Sequence, residues 1–212
     1  MDHNKNIKLT DKEIFTQIWL SPRFVFKYIN ENHYDKYVFA LLFLAGISRA
    51  LDRASMKDMG DKMSLFVILG MSIVLGGLLG WISFYIYSAL LNWTGKWLDA
   101  EGNTDAILRI LAYAMLPSIV GLLFFIPPIA IYGNEMFKAD GDIINAGLYS
   151  NIVVYGSIII EAILSIWTIV LVVVGISEVQ KLSIGKSILN ILLPSFIILV
   201  PILLIVLIIQ AF

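Results

Sequence analysis

Residues 152–175 read IVVYGSIIIEAILSIWTIVLVVVG, an apolar run interrupted by one carboxylate, Glu161. Wound into an α-helix at about 1.5 Å per residue, such a run crosses the roughly 30 Å hydrocarbon core of a bilayer. A helix that is apolar all round has no face for water, so lipid or other apolar helices must surround it. Glu161 tightens that constraint. A carboxyl group at this depth costs a few kcal/mol or more unless it finds hydrogen bonds, a proton or water. It is therefore expected to face a bundle interior. Ser157, Glu161, Ser165 and Thr168 follow one another at i, i+4, i+8 and i+11, so they form a single polar stripe on that face.

The remainder of the chain has the same character. It is 59% hydrophobic and 15% charged, against about 45–50% and about 25% in soluble domains. With a net charge of −1 and no basic cluster, nothing suits nucleic acid. Cysteine is absent, which excludes disulfides, thiolate catalysis and cysteine-ligated metals. The only histidines, His3 and His33, precede the first apolar segment. Without a histidine in a span, neither a serine–histidine hydrolase nor a zinc peptidase can be assembled in the membrane. No phosphate-binding or dinucleotide glycine fingerprint is present either, so the expectation is no enzyme, no cofactor and no metal.

Five segments divide the chain, at about residues 36–53, 64–92, 106–131, 152–176 and 188–211. Residues 1–35 form a polar N-terminal segment without the apolar core of a cleaved signal, so the first span is expected to direct insertion itself. Thr10 and Glu13 fit a capping box, followed by Ile14, Phe15, Ile18 and Trp19 on one helical face. Ser21-Pro22 ends that helix and opens a second, with Phe24, Val25, Tyr28 and Ile29 as its apolar face. Two placements are open for these amphipathic helices: the lipid headgroup layer, or the mouth of the protein's own bundle.

The first span is the shortest, with twelve uncharged residues between Tyr37 and Ser48, and residues 49–62 read as a polar linker. In the second, Ser72, Gly76 and Gly80 recur every four residues, a small-residue ridge that suits close helix packing within this protein or between copies of it. Trp81, Trp93 and Trp97 are candidate interfacial anchors. Pro117 is expected to kink the third span, as are Pro194 and Pro201 the fifth, while Pro127-Pro128 ends or bends the third. The acids between Gly133 and Asn151 lack a calcium-loop spacing and read as a solvated turn.

With five spans, ten lysines and arginines lie on the side of the N-terminus and five on the other. With four spans the division is eleven to four. Either places the N-terminus in the cytoplasm by the positive-inside rule, and five spans put Phe212 outside.

An ordered set of short motifs then carries a resemblance. Ser21-Pro22-Arg23 with Phe24 and Phe26 comes first, then Gly95 and the loop before the third span. Ala112-Tyr113-Ala114-Met115-Leu116-Pro117, Ile166-Trp167 through Gly175, and Val179-Gln180-Lys181-Leu182-Ser183 with Gly185-Lys186 follow. In these the chain resembles the Yip (Ypt/Rab-interacting protein) family, particularly its bacterial members, over nearly all its length. The resemblance implies an all-α polytopic protein: a five-helix transmembrane bundle, residues 36–212, behind a cytoplasmic amphipathic segment. It implies a bacterial plasma membrane as the location. The acidic cytosolic head of eukaryotic members is missing, which argues against a Rab-type GTPase partner. The expected role is to organise membrane-protein partners, lipids or further copies of the chain in the bilayer. The competing role is a small transporter or channel component that uses Glu161.

Overall fold

The computed structural model describes residues 8–143 and 147–211, and all regular structure among them is helical. Helices α1 (Asp11–Gln17) and α2 (Pro22–Glu31) lead into α3 (Val38–Met56). Next, α4 (Leu65–Met71) continues through a π-helical turn, Ser72–Gly76, into α5 (Gly77–Gly95). Helices α6 (Thr104–Ala114), α7 (Leu116–Tyr132), α8 (Leu148–Val179) and α9 (Ile184–Ala211) complete the chain. Three continuous stretches, residues 65–98, 104–137 and 148–179, are long and apolar enough to cross a membrane. The sequence suggested five. α3 carries Arg49, Asp52 and Arg53 in its second half, and the described side chains of α9 support an apolar stretch only over residues 184–197.

The expected polar linker begins later than the charges suggested, because α3 runs on through Arg49, Asp52 and Arg53 to Met56. Leu51 and Ala54 explain why: both are buried, at i and i+3, and they keep the helix seated on its neighbours. The third span breaks between Ala114 and Leu116, where Pro117 has no N–H to donate to the preceding turn. Pro127 and Pro128 lie inside α7, and α9 passes Pro194 and Pro201 without interruption.

The N-terminal helices settle against the protein itself. Thr10 and Glu13 form the capping box, the Thr10 N–H donating to Glu13 Oε2 at 2.7 Å. Ile14, Ile18, Val25, Phe26 and Ile29 are wholly buried, and α2 packs on α6 and α8. Of the two placements open to them, these helices take the bundle mouth. Most of their apolar faces are thereby withdrawn from lipid, with Phe24 and Leu20 left exposed. A cluster at residues 34–37 locks them there. Tyr34 and Tyr37 each donate to the Asp11 carboxylate at 2.6 Å, and Lys36 pairs with the same group. Asp35 meanwhile accepts two bonds from the buried Arg109 of α6, at 2.6 and 3.2 Å. Lys36 and the two phenols hold the Asp11 carboxyl well below its ordinary value of 3.8.

The small-residue ridge of α4–α5 packs within the chain, on α3. A β-carbon added at Gly46 would strike the Gly76 carbonyl oxygen and, at 2.9 Å, the Gly80 α-carbon. Backbone therefore meets backbone at this crossing, which only glycine permits. Ser72 is buried on the same side.

Gly46→Val or Gly80→Val is expected to destabilise the detergent-purified protein by about 1–3 kcal/mol, read as a lower unfolding temperature. Gly70→Ala, where nothing lies within 4 Å, is expected to change little. Because the Asp11 carboxyl is depressed in the folded chain, its contribution is complete above its ordinary value and fades as pH falls below about 4. Protection of residues 11–31 against hydrogen exchange, corrected for the intrinsic rate, should thus fall below about pH 4 in the native protein. In Asp11→Asn it should already be lower at neutral pH.

Candidate functional site

Three helices bring polar side chains to one small cleft. Ser48, Leu51 and Asp52 of α3 stand at i, i+3 and i+4. Glu161, Leu164 and Ser165 of α8 repeat that spacing, and α7 supplies Ser118, Gly121, Leu122 and Phe125. These are the faces that helical periodicity turns toward a common neighbour. The Ser48 and Ser118 hydroxyls lie 3.0 Å apart, tying α3 to α7 across the cleft. Glu161 is half-buried, whereas Asp52 and Ser165 remain exposed. The cleft encloses about 50 Å³, room for a few water molecules.

Only part of the stripe anticipated on α8 therefore works as a unit. Glu161 and Ser165 reach the cleft. Ser157 and Thr168 are buried without lining it, and Thr168 donates to the Leu164 carbonyl of its own helix at 2.9 Å. Glu161 is not alone at its depth: Asp52 faces the same space. The donor set is oxygen throughout, two carboxylates and three hydroxyls, and it suits a proton, water or a hard cation. Among the described residues no group of three or more histidines, cysteines and acids is placed to hold a metal. The Gly133 turn is partly docked. Glu135 accepts from Lys138 at 2.5 Å, and Asn134 donates to the Gly60 carbonyl at 2.8 Å.

A second polar constellation, at the end of the bundle that carries α1 and α2, is fully satisfied. Asn190 of α9 donates to Gln180 Oε1 at 2.7 Å and to the Leu91 carbonyl at 3.0 Å. The Thr94 hydroxyl donates to Asn190 Oδ1 at 2.5 Å, and Gln180 donates to the Leu91 carbonyl at 3.2 Å. All three side chains are buried, so they join α5, α8 and α9 as a strut. A β-carbon at Gly95 would collide with the Gln180 amide.

Fold and site together define a helical membrane protein with polar side chains gathered where its helices meet. The Yip1 domain model matches residues 16–206, and the chain belongs to that family. No curated protein and no solved structure matches it.

Proposed function

We propose that this chain is a non-catalytic organiser of its membrane surroundings, acting through lateral contacts with lipids or membrane-protein partners. One observation carries that reading. Its best-formed polar networks, Asn190–Gln180–Thr94 and Arg109–Asp35, join helix to helix, while α5, α7 and α8 leave a broad apolar surface exposed. Leu78, Leu123, Ile163 and Ile169 belong to that surface. Proteins that hold neighbours in a bilayer need a stiff body and a large lateral face. In this reading α3 and α9 also span, making five crossings, with the N-terminus cytoplasmic and Phe212 outside a bacterial plasma membrane. No Rab-type GTPase is involved.

A second reading has its own support. Asp52 and Glu161 share one cleft with three serines, and paired acids at membrane depth are a common device for moving protons or cations. The two readings part in reconstituted vesicles. Under the organiser reading the wild type shows no proton or sodium flux above protein-free vesicles, and Glu161→Gln changes only stability. Flux that is abolished by both Glu161→Gln and Asp52→Asn would establish the second. For orientation, the cysteine-free chain offers a direct assay. Lys138→Cys should react with an impermeant maleimide in intact cells, and Lys12→Cys only after permeabilisation. The reverse pattern would invert the topology.

A further inference from the structure

α3 has a second charged edge, on the side away from Glu161. Arg49 and Arg53, one helical turn apart, line a groove of about 530 Å³ between α3 and α4–α5. That volume falls in the range of about 300–1,000 Å³ typical of small-molecule sites. Among the described residues neither arginine forms a salt bridge and no carboxylate lines the groove, although Arg49 stands within electrostatic reach of Asp52 on the same helix. Arg49 is held over the Phe84 ring, its guanidinium carbon 5.0 Å from the ring centre. Along the α4–α5 wall, Met71, Leu75 and Leu79 are substantially exposed apolar side chains. By helical rise, Arg53 and Arg49 lie about 5 and about 10 Å inside the end of α3 at Met56.

We propose that this groove binds an anionic phospholipid, its phosphate on Arg49 and Arg53 and an acyl chain along Met71, Leu75 and Leu79. Two guanidinium groups without a salt-bridge partner among the described residues attract an anion, and their planar forks match phosphate oxygens. A free phosphate would satisfy the charges but would leave the apolar wall uncovered. A lipid meets both needs at once, because the arginine stems are long enough to bring charge to a headgroup while lying along hydrocarbon. The proposal rests on the organiser reading and names one thing that is organised. Ion flux in vesicles would overturn that reading without altering a lipid preference, so the two can fail separately.

The test uses the full chain reconstituted in phosphatidylcholine, with spin-labelled phosphatidylglycerol or spin-labelled phosphatidylcholine as probe. The motionally restricted fraction gives the relative association of each lipid. Phosphatidylglycerol should be preferred on the order of fivefold or more, from attraction to two arginines. The preference should vanish in the R49Q/R53Q double variant, fall in part in R49K/R53K, which keeps the charge but not the fork, and be untouched by K62Q. Should the double glutamine variant fail to purify as a single species, R53Q alone should show a partial loss. Equal preference in wild type and R49Q/R53Q would overturn the proposal, as would equal losses in R49Q/R53Q and K62Q. So would displacement of the labelled lipid by inorganic phosphate beyond that caused by chloride at the same ionic strength. A photo-crosslinker at Leu79 that captures a second copy or another protein, rather than lipid, would also overturn it.

Discussion

The contact between Gly46 and the Gly76–Gly80 edge decides where everything on α3 goes. Lipid tails are as apolar as leucine, so helices in a bilayer gain nothing from merely hiding from water. They associate where backbones approach closely and polar groups find partners. At this crossing backbone lies on backbone, with the small Ala50 side chain beside Gly76, and α3 is drawn tightly onto α5. Its remaining faces are then assigned by rotation alone. Ser48 and Asp52 turn toward α7 and α8, and Arg49 and Arg53 border the groove beside α4. One glycine crossing thus turns Asp52 and the two arginines of a single helix toward different neighbours.

The two ends of the bundle are built differently. Toward the end that carries α1 and α2, α6 forms the centre: Ile107, Ile110, Leu111, Ala112, Tyr113 and Ala114 are all buried, with Phe26, Leu91 and Ile176 in the same core. Toward the other end the core shrinks to Leu51, Ala54, Ile68 and Phe137. The acidic cleft and the arginine groove both adjoin this smaller core, through Leu51 in one case and Ala54 with Ile68 in the other. The larger core thus lies at one end and the accessible space at the other. The π-helical turn at Ser72–Gly76 lies in that region, where one extra residue per turn loosens the hydrogen-bond ladder.

Much of this was legible in the residues. The capping box at Thr10, the break at Pro117 and the packing ridge at Gly76 and Gly80 each rest on local chemistry that tertiary structure does not override. The limits of α4–α5 and α8 followed from hydrophobicity to within a few residues. The site was only half visible. Glu161 stands out against apolar neighbours, whereas Asp52 lies among Arg49, Arg53 and Lys57 and reads as part of a polar linker. Its partnership with Glu161 depends on which way α3 rotates, and that is set by a contact between distant glycines. The Ser48, Leu51, Asp52 spacing was the available clue. Likewise Gln180 and Lys181 look alike as polar residues in a turn, yet Gln180 is buried in the strut and Lys181 sits exposed with φ 54°. The burial of Gln180 has its physical sense in the amide network that it completes.

The docking of α2 imposes an order of assembly. Phe26 nests against Gly175, and the Arg23 guanidinium reaches the Ser177 hydroxyl, 154 positions later in the chain. A ribosome releases α2 long before α8 exists to receive it. Throughout that interval the three apolar side chains that α2 will bury, Val25, Phe26 and Ile29, need temporary shelter, from headgroups or a chaperone. The mouth of the bundle can close only after the fourth long helical segment has been delivered.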